Sequence, residues 1–148
     1  MKIAIVVSRF NEAVNQRLLN STVARLEEKG VIRANLDIRW VPGAVEIPLV
    51  AKKMAKTGHY SAIIVLGTVI RGQTDHYEYV CQQVSYGCQK VALEHEIPVI
   101  FGVLTVNNRQ QALARSGGDH SDKGHACADA ALEMIEVLAK ESLETALV

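Results

Sequence analysis

Four runs of β-branched and aliphatic residues divide the chain, and each gives way to a stretch whose apolar positions recur at helical spacing. "KIAIVV" (2–7) precedes "NEAVNQRLLNSTVARLEEKG", where Ala13, Leu18, Leu19, Val23 and Leu26 predict one apolar helix face and Gly30 a stop. "LDIRWV" (36–41) precedes "AVEIPLVAKKMAKTG", which again ends in glycine, at Gly58. "SAIIVLG" (61–67) leads into a helix predicted over about 76–95. "PVIFGVLTV" (98–106) leads into "NRQQALAR", a Gly-rich break, and a final helix predicted over about 125–140. Periodicity alone leaves the last of these runs open between strand and helix; Pro98 and the β-branched content decide for strand.

Strands that alternate with helices pair in parallel, and near-continuous apolar runs belong to strands covered on both faces. With right-handed crossovers, the expected fold is a three-layer α/β/α sandwich around a four-stranded parallel sheet. No repeat, linker or low-complexity segment divides it, so residues 1–148 are expected to form a single domain.

Composition narrows the function classes. Half the residues are apolar (49%) and the formal charge is zero, which argues against disorder and against an electrostatic grip on nucleic acid. The longest apolar stretches fall short of the roughly 18–20 residues of a membrane span, and the N-terminus lacks a secretory cleavage site. A cytoplasmic protein with no membrane partner is the expectation. Cys81 and Cys88 are seven apart on one predicted helix, about 10 Å between Cα atoms and too far for a disulfide. With Cys127 they read as small core fillers. "HSDKGHAC" brings His120, His125 and Cys127 together, but the spacing matches no recognised zinc pattern and no metal is expected.

In open parallel sheets ligands bind outside the carboxyl ends of the strands. Here those ends are "SRFN" (8–11), "VPGAVE" (41–46), "GTVIRGQTDH" (67–76) and "LTVNN" (104–108). Phe10 taken alone reads as a buried aromatic, the alternative being a stacking platform. Gly43 allows close backbone approach, and Glu46 is either an acid favoured by the next helix's dipole or a carboxylate for a polyhydroxylated or amino-bearing ligand. Asp75 and Glu78 have capping-box spacing. After Gly72, the backbone N–H groups of Gln73 and Thr74 would face an anion at a helix N-terminus, with Arg71 nearby. His76 at the first helical position is either solvated or kept neutral by the dipole for proton work. In "ARSGGDHSDKG", Arg115 and Lys123 flank a Gly-rich loop able to hold a phosphate; the helix-end dipole and plain solvation are the alternatives.

The blocks "SRFN", "VPGAVEIP", "GTVIRGQTDHYEYV", "PVIFGVLT" and "ARSGGDHSDKG", in this order, resemble the 6,7-dimethyl-8-ribityllumazine synthase family of riboflavin biosynthesis. The resemblance implies a flavodoxin-like fold and a transferase that condenses 5-amino-6-(D-ribitylamino)uracil with (3S)-3,4-dihydroxy-2-butanone 4-phosphate, without a cofactor. It implies that Phe10 stacks on the pyrimidine and that Ala44, Val45, Glu46, Thr68, Val69 and Ile70 line the pyrimidine and ribityl site. Gln73, Thr74 and Arg115 would hold the phosphate, with Lys123 a further candidate, and His76 would transfer protons. Phe101 would close the site from a neighbouring subunit of a homopentamer or an assembly of pentamers, itself associated with riboflavin synthase. The chain starts directly at its first strand, where many relatives carry an arm. Its loop is also more acidic than theirs, with Asp119 and Asp122 near the expected anion site.

Other occupants of such a fold fit less well. A flavodoxin-like electron carrier wants a Ser/Thr/Gly-rich phosphate loop after the first strand, where this chain has "SRFNEAV". An archaeal-type riboflavin synthase is not expected to keep the "RGQTDH" block. A receiver-type signalling domain needs an acidic pair after the first strand and an Asp ending the third, and neither is present.

Overall fold

A computed structural model describes residues 1–118 and 120–147. Strands β1 (Ile3–Ser8), β2 (Leu36–Val41), β3 (Ala62–Ile70) and β4 (Val99–Val106) form one parallel sheet in the order β2-β1-β3-β4. Helices α1 (Glu12–Glu28), α2 (Ile47–Lys56), α3 (His76–His95), α4 (Arg109–Arg115) and α5 (Lys123–Leu147) complete the expected α/β three-layer arrangement. Short 3₁₀ turns cover Arg33–Asn35 and Ala44–Glu46. The strand order is that of the flavodoxin-like doubly wound sheet, whose connections reverse direction between β1 and β3.

The side-chain alternation of each strand feeds two separate cores. Ile3, Ile5 and Val7 point to a layer closed by Leu18 and Leu26 of α1 and by Cys127, Ala128 and Ala131 of α5. Ala4 and Val6 point the other way, to Ile47 and Ala51 of α2 and Val84 and Cys88 of α3. Every residue of β1 is buried because helices cover both of its faces. That is why its sequence shows no alternation.

Two boundaries and one helix face differ from expectation. β3 runs to Ile70, three residues past its predicted end, because β4 continues to pair with it: Thr68 lies opposite Leu104, Val69 opposite Thr105 and Ile70 opposite Val106. The last helix begins at Lys123 and reaches Leu147, well beyond 140. On α1 the buried face consists of Val14, Asn15, Leu18, Leu19, Thr22, Val23 and Leu26, whereas Ala13 is exposed. The buried face carries two polar residues, Asn15 and Thr22, that a count of apolar positions passes over. Gly30 ends α1 as expected, with φ 95° and the Val31 N–H bonded back to Leu26 O at 3.0 Å, which closes the last turn.

Gly102 lets β4 lie flat beneath α5. A Cβ there would stand 2.6 Å from Leu66 Cδ2, 2.8 Å from the Val65 carbonyl oxygen and 2.9 Å from Cys127 Sγ. The carbonyl belongs to the neighbouring strand and cannot step aside. Gly102→Ala should therefore destabilise the fold by about 1–3 kcal/mol through overpacking. A urea titration checks this, with a lower midpoint and an unchanged m-value expected.

Candidate active site

The unequal lengths of the strands make a step at the carboxyl end of the sheet. β1 ends at Ser8 beside Val41, and its last partner in β3 is Leu66, while β3 and β4 run on together to Ile70 and Val106. An open pocket of about 420 Å³ sits on this step. Phe10 enters it from the β1 exit, Ala44, Val45 and Glu46 from the β2 exit, and Thr68, Val69 and Ile70 from β3. Gly72, Thr74 and His76 complete the rim. Residues from three distant blocks of sequence thus share one concavity at the switch point of the sheet.

The β1 exit is held open rather than folded inward. Phe10 is 74% exposed, so the buried-aromatic reading is wrong and its ring is free to serve as a platform. Its backbone is nevertheless fixed: the Phe10 N–H donates to Pro42 O at 3.0 Å, and its carbonyl accepts from Asn15 Nδ2 at 2.9 Å. Asn11 turns the chain into α1 with φ 70°, a left-handed conformation that asparagine tolerates better than most residues. Its side-chain amide donates to the carbonyl of Thr68 at 2.9 Å. Neither Asn11 nor Asn15 stood out in the sequence, although a polar residue on the buried stripe of α1 was a signal that could have been read.

Glu46 closes the side of the pocket next to Gly43, where a Cβ would stand in ordinary van der Waals contact with the carboxylate, 3.6 Å from Oε1. Glu46 Oε2 is buried and has no hydrogen-bond partner. A buried acceptor left unpaired costs about 1–3 kcal/mol, so the site favours a ligand that brings a donor to it.

The β3–α3 junction departs from the capping-box expectation. Asp75 makes no side-chain bond to the helix start, and Glu78 turns instead to Arg71, at 2.8 Å from Nη1. Arg71 also stacks over the Tyr77 ring at 4.2 Å and donates from Nε to Asn107 Oδ1 at 3.2 Å. The guanidinium ties the loop to α3 and to the β4 exit. The helix start is capped weakly by Thr74, whose hydroxyl oxygen accepts from the His76 N–H at 3.4 Å. His76 is exposed at the first position of α3 and faces the pocket.

A family model described as 6,7-dimethyl-8-ribityllumazine synthase matches residues 1–139. The chain belongs to that family. It is similar to proteins of the same name from three strains of Coxiella burnetii, each 59% identical over 137 residues, 93% of this chain and 91% of theirs.

Not every residue assigned from the lumazine synthase resemblance meets in this pocket. Gln73 is exposed on the loop but does not line it, and Arg115, Lys123 and Phe101 lie elsewhere. Phe101 is on β4 opposite Val65, half-buried against the α2–α3 core. Arg115 ends α4, where Nη1 donates to the Gln111 carbonyl at 3.2 Å. Asp122 caps α5 through the His125 N–H and accepts from the Ser21 hydroxyl, so its charge is already engaged. His120 is exposed, and Asp119 lies outside the described residues. Among the described residues no lysine or arginine lines the pocket, and no helix is long and apolar enough to cross a membrane.

The cysteines behave as core fillers. Cys88 and Cys127 are buried and Cys81 is half-buried, all three as free thiols. Burial pushes the Cys88 thiol up to about 12 and the Cys127 thiol up to about 11, and it raises that of Cys81 as well. Because the thiolate is the reactive form, none is poised as a nucleophile. A maleimide at about pH 7 should label at most Cys81 in the native protein and all three cysteines in denaturant, as counted by intact mass.

Proposed function

We propose that this chain catalyses the lumazine synthase condensation, as a transferase of riboflavin biosynthesis acting in the cytoplasm. The observation that carries the reading is the meeting, in one pocket, of an exposed aromatic ring, Phe10, and a carboxylate, Glu46, with one buried oxygen unpaired. A flat pyrimidine suits the first, and a ribityl hydroxyl or an amine suits the second. Free thiols fit a reducing compartment.

The reaction needs placement and proton traffic more than covalent catalysis. The 5-amino group of the uracil adds to the ketone of the butanone phosphate, and water leaves as the imine forms. Loss of a carbon-bound proton then expels inorganic phosphate, and the enol left behind takes a proton on carbon to become a ketone. The ribitylamino nitrogen closes the ring onto the new carbonyl, with loss of a second water. Every step moves protons among nitrogen, carbon and oxygen, so an imidazole at the rim is useful throughout. His76 fills that role, while Ala44, Val45 and the β3 exit from Thr68 to Ile70 shape the wall against the first substrate. Holding both reactants in contact supplies much of the remaining acceleration.

The phosphate is the part that one subunit does not accommodate alone. The loop carrying Gln73 and Thr74 offers backbone donors next to a helix N-terminus. Arg71, the nearest cation in sequence, is committed to Glu78, Tyr77 and Asn107. On this reading Arg115 arrives from a neighbouring copy together with Phe101, with Lys123 as a further countercharge. That makes the active form a homo-oligomer, a pentamer or an assembly of pentamers, in association with riboflavin synthase.

Mixing both substrates with the protein should develop the lumazine chromophore well above the uncatalysed rate; failure to do so removes the reading. His76→Ala should lower kcat about tenfold to a hundredfold, near or below the low end for general acid–base groups, with both KM values nearly unchanged. Arg115→Lys should raise the KM of the butanone phosphate about tenfold and leave that of the pyrimidine alone, since lysine does not reproduce a bidentate guanidinium–phosphate contact. Sedimentation of a fully active monomer would contradict the shared site.

A further inference from the structure

Asn15 is fully buried in the first turns of α1, behind the pocket rather than in it. Its Nδ2 donates to the carbonyls of Ser8 at 2.6 Å and Phe10 at 2.9 Å, and lies 3.2 Å from Ser8 Oγ. Its Oδ1 accepts from the Thr68 hydroxyl at 2.7 Å. These partners fix the amide's orientation, because only the NH₂ end can face two carbonyl oxygens. One side chain therefore spans both sides of the crevice, holding the exit of β1 and the exit of β3. Asn11 adds a second staple from the same loop to the Thr68 carbonyl.

A buried asparagine is a costly way to fill a helix–sheet interface unless its hydrogen bonds do something that an apolar residue cannot. Here they hold backbone that packing does not. The Phe10 ring is largely in solvent, and the carbonyl bond to Asn15 and the N–H bond to Pro42 hold the backbone that carries it. Thr68 lies in the last segment of β3, from Gly67 to Ile70, which has no β1 partner. We propose that Asn15 is a positioning residue that sets the spacing between the Phe10 ring and the Thr68–Ile70 wall, and so selects a flat heterocycle of that thickness. The inference rests on the function proposed above and adds to it a residue that never touches substrate.

The consequence is asymmetric between the two substrates. The gap set by Asn15 receives the planar pyrimidine, whereas the phosphate is held at the other end of the pocket, by the 72–76 loop. Asn15→Ala should raise the KM of the pyrimidine substrate about tenfold, the worth of roughly one net hydrogen bond, with less than about a twofold change for the butanone phosphate. The second arm works from the other partner and leaves α1 untouched. Thr68→Val removes the hydroxyl and should give the same selective rise, while Thr68→Ser keeps it and should restore the wild-type value. Both arms are read against wild type in the same lumazine-forming assay. No product from wild type overturns the function itself. An active wild type with equal losses for both substrates, or with Thr68→Val and Thr68→Ser alike, leaves Asn15 as a structural residue and overturns the positioning role. Should Asn15→Ala not fold, the Thr68 pair decides alone.

Discussion

Asn15 directs both ends of its amide at strand ends, the NH₂ at the carbonyls of Ser8 and Phe10 and the oxygen at the Thr68 hydroxyl. The remainder of the candidate site depends on that bridge. Two parallel strands part at the switch point because their connections run to opposite sides, and backbone bonds from Arg9 and Phe10 tie the β1 exit to β2 but not to β3. A buried side chain with matched donors and acceptors does tie those two exits, and it does so in surroundings where leaving any one group unpaired is expensive. Phe10 can then stand exposed without being loose.

The polar groups at the far side of the pocket follow a different rule. Arg71 is satisfied within its own chain by Glu78, Tyr77 and Asn107, which holds the loop from β3 to α3 in place but leaves no free cation there. Glu46 is the opposite case, a carboxylate with one buried oxygen unpaired. A site with a spare acceptor, a free aromatic face and no lysine or arginine among the described residues lining it suits the uracil partner of the condensation better than the phosphate partner. That imbalance is the physical basis of the proposal that Arg115 of a second copy meets the phosphate.

Much of the architecture was legible because burial on both faces writes itself into composition. β1 is apolar from Ile3 to Val7 and β3 from Ala62 to Leu66, and the glycine at the end of α1 has the positive φ expected of a stop. The site's outline was legible too, since parallel sheets bring their carboxyl ends together and the polar residues at three of those ends are unusual. The errors have local causes. Asp75 and Glu78 have the spacing of a capping box, yet the competing charge of Arg71 draws Glu78 away. Phe10 taken alone reads as buried because aromatic residues usually are, whereas its ring stands exposed on a backbone held by the carbonyl staple, in keeping with the platform that the resemblance implies.

By itself the sequence determined the order of strands and helices, the parallel sheet, the family and the set of residues that would gather at the strand exits. These depend on patterns of period 2 and 3.6 and on motifs contiguous in the chain, which a single sequence carries in full. Tertiary structure alone decided that β3 and β4 extend past β1 to make a step, because strand length is set by pairing with a neighbour distant in sequence. It also decided that Asn15 belongs inside. A polar side chain on an apolar helix face is a defect until its partners are known, and those partners, Ser8, Phe10 and Thr68, come from two separate strand exits that meet it only when the sheet is built.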